Sequence, residues 1–292
     1  MRAVSVIYSL VGREGTMAFL TEPEPERGPM LPVLPGISRI VAANSGPMTY
    51  HGTNTYLIET ADGLVVLDPG PDEPDHVDAI MRATGGKVDL ILLSHFHHDH
   101  VEATPALRAA TGAPVAAFHD TAIEGFTPDR RLNDNEIIAG MTAIHTPGHA
   151  SDHLCFQLAA QDGTAVLFSA DHVMSWNSSV VSPPDGDMRA YFASLKRVLE
   201  RSDDVFLPGH GPRLREPRKL TRALLFHRME RERSILARLT KAPASTLALR
   251  DALYSQTHPR LQRAAERNVL AHLLKLSAEG KAVRDGEVWR AV

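Results

Sequence analysis

Short apolar runs bounded by turn residues recur through most of the chain, and their lengths predict strands. Val88-Asp89-Leu90-Ile91-Leu92-Leu93 is rich in branched residues and reads as a buried strand. Ile37–Ala42, Tyr50–Ile58, Leu64–Leu67, Val115–Phe118, Met141–His145, Leu154–Leu158, Ala165–Phe168 and Val205–Leu207 read the same way. Asp62-Gly63 and Asp162-Gly163 lie between apolar runs and predict hairpins, because this pair accepts the backbone of a tight turn. Helical spacing appears over Pro74–Ala83, Pro105–Ala110 and, with a clear amphipathic face, Met188–Arg201. A proline-rich stretch, residues 21–36, predicts an extended lead-in. Strands and helices alternate with hairpins mixed in, so the pattern predicts an α/β fold of packed sheets flanked by helices.

Beyond residue 216 the pattern changes. Pro217–Leu239 reads as one long helix with apolar positions at Leu220, Leu224, Met229, Ile235 and Leu239. Thr246–Tyr254 and Leu261–Ala278 read as two more, Gly280 stops the last, and Ala282–Val292 reads as a hairpin turning at Asp285-Gly286. The chain therefore divides into an extension (1–30), a main domain (31–216), and a helical linker with a small α+β domain (217–292).

Composition narrows the classes. With 292 residues and 43% apolar content the chain can bury a large core. No apolar run approaches the roughly 18 residues that span a bilayer. Cys155 is the single cysteine, so an intrachain disulfide and a thiolate metal site are excluded, which fits a reducing cytoplasm. Met1–Gly12 holds a short apolar stretch but no small-residue cleavage site follows, and Met17 opens a more ordinary beginning; residues 1–16 are expected to be an upstream extension. The net charge of −4 is unevenly split: from Gly211 onward there are 18 Lys/Arg against 8 Asp/Glu, and before it 13 against 27. A basic tail is either a solvated helical surface or a face for an anionic polymer such as RNA.

The chemistry concentrates in Ser94-His95-Phe96-His97-His98-Asp99-His100, directly after a predicted strand. Imidazole nitrogen and carboxylate oxygen are the ligands zinc takes when no thiolate is present, and iron or manganese accept the same set. Three further predicted strands end near His149 (Thr146-Pro147-Gly148-His149), Asp171 (Ser169-Ala170-Asp171-His172) and His210 (Pro208-Gly209-His210-Gly211-Pro212). His98 is expected to face solvent or stand behind the ligands. Asp68 is expected to hydrogen-bond a ligand histidine. His119, His145, His153 and His172 are expected to be structural, Cys155 a core residue, and Trp176 with residues 177–184 a candidate pocket wall.

Over residues 35–215 these motifs resemble a metallo-β-lactamase-superfamily hydrolase: His-x-His-x-Asp-His (His95, His97, Asp99, His100), then His149, Asp171 and His210. The resemblance implies an αββα sandwich with a two-metal centre, expected to be zinc. It puts His95, His97 and His149 on one ion and Asp99, His100 and His210 on the other, with Asp171 bridging. It also implies a metal-bridged hydroxide as nucleophile, oriented by Asp99 as the catalytic carboxylate. A bridging aspartate resembles the glyoxalase II, lactonase and nuclease branches and departs from class B1 β-lactamases, which use a cysteine. Gly52-Thr53-Asn54-Thr55-Tyr56, Leu67-Asp68-Pro69-Gly70 and Leu207–Pro212 resemble the β-lactamase-like-protein-2 subgroup, which carries a C-terminal winged helix. That domain is expected to serve packing or a homodimer contact. The substrate expected is a small molecule with an ester, thioester or lactone bond, with no membrane partner. The alternative is a single-strand-specific endoribonuclease that uses the same site and holds RNA on the basic tail.

Overall fold

The computed structural model describes residues 19–292 apart from Glu124. The expected extension over residues 1–16 lies outside the described residues. In chain order the elements are β1 (Leu31–Leu34), β2 (Ile37–Val41), β3 (Asn54–Thr60), β4 (Gly63–Leu67), α1 (Pro74–Thr84), β5 (Leu90–Leu92), α2 (His98–Val101), α3 (Thr104–Thr111), β6 (Val115–Phe118), β7 (Arg130–Leu132), β8 (Ile137–Ile138), β9 (Met141–His145), β10 (Leu154–Ala159) and β11 (Ala165–Ala170). They continue as α4 (Met188–Leu199), β12 (Val205–Pro208), α5 (Pro217–Leu239), β13 (Ala244–Ser245), α6 (Thr246–Leu253), α7 (Gln262–Ala278), β14 (Ala282–Asp285) and β15 (Val288–Ala291).

Two mixed sheets lie face to face. One holds β1 to β7 in sequence order, and the other runs β12-β11-β10-β9-β8. Strand periodicity sorts the side chains between layers. Tyr56, Ile58, Val65, Leu67, Leu90 and Leu92 of the first sheet meet Ala143, Leu154, Phe156, Val166, Phe168 and Leu207 of the second. The intervening residues Leu57, Val66 and Ile91 point outward to Ala79 and Ile80 of α1 and Leu107 of α3. Cys155, Leu167 and Phe206 point outward to Tyr191, Leu195 and Val198 of α4 and Leu220 and Leu224 of α5. Both faces of both sheets are covered, which explains why these strands read as unbroken apolar runs. Each fully buried side chain contributes about 1.5–3 kcal/mol, against about 0–1 kcal/mol for an exposed ion pair, so the sandwich core and not the charged surface holds the sheets rigid.

From Ile235 onward the chain builds a second core from Ile235 and Leu239 of α5, Leu249 of α6, Val269, Leu273 and Leu276 of α7, and Ala282 and Trp289 of a three-stranded β13-β15-β14 sheet. Two details differ from the sequence pattern. The strand expected from Tyr50 begins at Asn54, because Tyr50 is left-handed (φ 58°) and the chain turns before Thr53 pairs with His210. On α5, Met229 is exposed, and the buried stripe runs through Leu220, Leu224 and Arg228 at intervals of four.

Candidate metal centre

The topology brings distant segments to one edge. β9 and β11 are both antiparallel to β10, and β12 is parallel to β11, so the carboxyl ends of β9, β11 and β12 coincide. They deliver His149, Asp171 and His210. In the facing sheet β4 and β5 are parallel, and their ends deliver Asp68 and the loop starting at His95. The single helical turn α2 then carries Asp99 and His100, while His98 on the same turn points to solvent beside Glu102.

Seven side chains converge. The ligand atoms of His95, His97 and His149 lie within 4.8 Å of one another, and so do those of Asp99, His100 and His210. His95, His100 and Asp171 form a third such group that joins the two. Asp171 Oδ1 lies 3.6 Å from His100 Nε2 and 3.5 Å from His210 Nε2, and Asp171 Oδ2 lies 3.5 Å from His149 Nε2. Asp99 Oδ2 is 3.2 Å from His210 Nε2.

Hydrogen bonds on the far side of each ring assign the tautomers. His149 Nδ1 donates to the Val180 carbonyl at 2.7 Å. His100 Nδ1 donates to Asp68 Oδ2 at 2.9 Å. The Ser94 hydroxyl donates to Asp68 Oδ2 at 2.7 Å, so it accepts from His95 Nδ1 at 2.9 Å. His210 Nδ1 faces the Gly52 carbonyl at 3.3 Å. Each of these rings therefore turns its Nε2 inward. Asp68, left-handed at φ 53°, holds two of the ligand rings, one directly and one through Ser94. His97 differs: its Nδ1 meets His149 Nε2 at 2.9 Å, a nitrogen–nitrogen contact that a proton or a cation must fill.

The residues fit a metal. His95 Nε2, His100 Nε2 and Asp171 Oδ1 are buried polar atoms without a hydrogen-bond partner among the described residues, a costly arrangement unless something binds them. Burial and neighbouring imidazoles push His95 well below its ordinary range, and burial lowers His97 to about 3, so both rings are neutral, the form a metal requires. Burial would also lower His100, but Asp99, Asp68 and Asp171 outweigh it and raise it to about 9. His210 is raised well above the ordinary value because Asp171 and Asp99 outweigh its burial. In turn His100 and His210 outweigh burial at Asp99 and Asp171 and hold both carboxyls well below the usual carboxylate range. The field at this edge favours positive charge, and a divalent cation bound there displaces the two protons. The clusters are consistent with a dinuclear site.

Close packing reinforces the arrangement. Asn54 donates to the Pro208 and Gly211 carbonyls, both at 2.9 Å, and Tyr56 to the Pro208 carbonyl at 2.8 Å, so the Gly52–Tyr56 stretch clamps the His210 loop. A Cβ on Gly209 would stand 2.6 Å from Asp171 Oδ1 and 2.7 Å from His100 Cε1; only glycine lets this loop approach. His153 accepts from the Asp171 backbone N–H at 3.2 Å and so positions that residue. Cys155 lies in the core, its thiol pushed up to about 12 by burial. His172 is buried, and His145 stacks on Phe118. His119 is half-exposed beside Asp120. Trp176 stacks on Tyr50 at 5.0 Å and packs against Gly211, next to His210. Sequence reasoning passed over Asp152, whose buried carboxyl accepts from the Thr121 hydroxyl at 2.7 Å and is raised by burial to about 6. It also passed over the Val180 carbonyl, a backbone group with no signature in the residue type.

Residues 48–210 match the metallo-beta-lactamase superfamily, and residues 245–289 match the beta-lactamase-associated winged helix domain. A Drosophila melanogaster beta-lactamase-like protein 2 homolog is 31% identical over 267 residues, covering 84% of this chain and 89% of its own. An atrochrysone carboxyl ACP thioesterase of Aspergillus chevalieri is 28% identical over 235 residues, covering 76% and 72%. A beta-lactamase domain protein from Burkholderia ambifaria superposes with a TM-score of 0.80 at 20% identity over 92% of this chain and 95% of its own. TTHA1623 in a di-iron-bound form superposes with a TM-score of 0.53 at 31% identity over 62% and 95%. With a His/Asp metal site at the edge of two packed sheets and a winged helix behind it, the chain belongs to the metallo-beta-lactamase superfamily and is a hydrolase of that fold.

Proposed function

We propose that the chain hydrolyses a thioester, ester or lactone of a small molecule, using two divalent ions. His95, His97 and His149 would hold one ion and Asp99, His100 and His210 the other, with the Asp171 carboxylate between the two groups. Zinc is the proposed metal on ligand chemistry; the di-iron form of TTHA1623 keeps iron as the alternative. Such ions supply Lewis acidity and an activated water at neutral pH. Of the two carboxylates in the set Asp99 is half-buried and Asp171 buried, so Asp99 is the one that could orient an attacking water and take its proton. Asp68 fixes the Nδ1 proton of His100 directly and that of His95 through Ser94, so the Nε2 atoms of both face the ions, and Trp176 beside His210 offers an apolar wall to the acyl group.

One observation carries the choice of substrate. Among the described residues no lysine or arginine lies within ion-pair distance of Asp99 or Asp171; their partners are histidines. The two ions would serve a carbonyl or a phosphorus centre alike, but holding a polyanionic strand at this edge also needs basic side chains for its phosphates, and among the described residues none is paired there. In the basic tail, Arg231 stacks on Tyr254, Arg250 pairs with Asp251 and Glu266, and Lys275 pairs with Glu232 and Glu279, so these three cations are already engaged. The thioesterase relative points the same way. The test is metal-reconstituted protein against thioesters, lactones, phosphodiesters and single-stranded RNA, with Asp171→Ala as blank and metal content measured in parallel. Carbonyl-substrate turnover is expected; turnover of RNA alone refutes the reading.

A further inference from the structure

Arg228 sits where the apolar stripe of α5 should continue, and it is 1% exposed. A buried guanidinium is costly unless its donors are met, and acidic residues usually meet them. Here they do not: Glu232, one turn on, is paired with Lys275 and His272. Instead Arg228 Nη2 donates to the Ser179 carbonyl, and Nη1 donates to Asn268 Oδ1 at 3.2 Å. Asn268, on α7, also accepts from the Val181 N–H at 3.1 Å through the same oxygen. The Arg228 guanidinium lies 5.5 Å from the Tyr191 ring, whose hydroxyl donates to the His172 carbonyl at 3.0 Å. On α7, Arg267 Nε donates to Ser182 Oγ at 3.0 Å. Two helices of the C-terminal region thus grip the chain on both sides of Val180. The Val180 carbonyl is the acceptor that orients His149.

We propose that Arg228 and Asn268 are positioning residues of the metal centre: α5 and α7 fix residues 179–182 so that the Val180 carbonyl sets the tautomer and direction of His149. The C-terminal region is then a part of the site and not an appendage to it. The proposal rests on reading His149 as a metal ligand. Backbone carbonyls that hold ligand histidines change metal affinity by about 10–100-fold when lost, so the effect is measurable.

The experiment uses the full chain with zinc alone as probe. Asn268→Ala, Arg228→Lys and Asn268→Asp are compared with the parent by chelator competition, by the visible spectrum after cobalt substitution, and by thermal midpoint in excess chelator. Asn268→Ala and Arg228→Lys are expected to weaken one of the two ions about 10–100-fold and to alter the cobalt spectrum. Asn268→Asp, which keeps both acceptor roles, restores parent behaviour. In a His149→Ala background Asn268→Ala is expected to add no further loss. Unchanged affinity and spectrum in both weakening variants, or a loss that adds fully to that of His149→Ala, overturns the proposal. A drop in chelated midpoint alone does so too, because it marks a purely structural role. A parent protein that binds no zinc overturns the metal reading itself, whereas a parent that binds beside unaffected variants overturns only the clamp.

Discussion

Asp68→Asn isolates one carboxylate that organises half the centre. Asn tolerates the left-handed backbone at this position, so the substitution changes charge and acceptor count without adding strain. Asp68 accepts three bonds: from the Ser94 N–H at 2.8 Å onto Oδ1, and from the Ser94 hydroxyl at 2.7 Å and His100 Nδ1 at 2.9 Å onto Oδ2. An amide offers one oxygen. If that oxygen keeps the Ser94 N–H, the amide nitrogen faces His100 Nδ1, and the ring must move its proton to Nε2, the atom aimed at Asp171. One charge-assisted bond is worth about 1.5–3 kcal/mol, which at about 1.4 kcal/mol per decade is roughly a 10–100-fold loss of affinity for one ion. Chelator competition measures that loss, and long-range nitrogen–proton NMR reads the His100 tautomer in the same sample. Zinc affinity within about twofold of the parent, with His100 still protonated at Nδ1, would refute the account of how the inward lone pair is set.

Two further perturbations probe the frame around the site. His76 is buried beside Thr55, and burial lowers it to about 4. Its contribution is fully present above the ordinary histidine range near 6.5 and is lost as pH falls toward 4, up to about 3 kcal/mol. His76→Gln is expected to flatten the fall of thermal midpoint between pH 7 and 4.5 in excess chelator; an identical slope in both proteins counts against it. At Gly148, φ is +136° and an added Cβ would lie 2.4 Å from the Tyr191 backbone. Gly148→Ala is expected to push the start of α4 from the His149 turn, costing about 1–3 kcal/mol of stability together with one ion's affinity, and a parent-like melting curve with parent-like zinc binding would show that the turn can relax.

Much of the sandwich was legible in the sequence because its strands are buried on both faces and run apolar without interruption. The centre was legible because four of its residues stand within six positions and the other three follow predicted strands. What escaped detection lacks such a pattern. β7 is three residues long, begins Arg130-Arg131, and has no periodicity to read. Apolarity alone gave Met229 to the buried face of α5, whereas the interval of four from Leu220 through Leu224 leads to Arg228. A rule that favours apolar residues inside is correct on average and fails where a buried cation has backbone carbonyls to meet.

That failure locates a constraint on the whole design. Asp68, Asp99 and Asp171 bring three carboxylates to one edge of the sandwich with no lysine or arginine among the described residues paired to them, and buried charge of one sign cannot stand alone. Two histidines can answer it with protons, but only by surrendering the nitrogen lone pairs that the remaining geometry aims inward. Cations answer it without that loss, which is why orphaned nitrogen and carboxylate atoms coexist here in so ordered a frame. The one buried guanidinium nearby is not a substitute, since Arg228 is spent on the Ser179 carbonyl and Asn268. Charge compensation and ligand orientation are therefore separate tasks given to separate groups. The sequence writes the first openly in its histidine motif and hides the second in one arginine of a helical stripe.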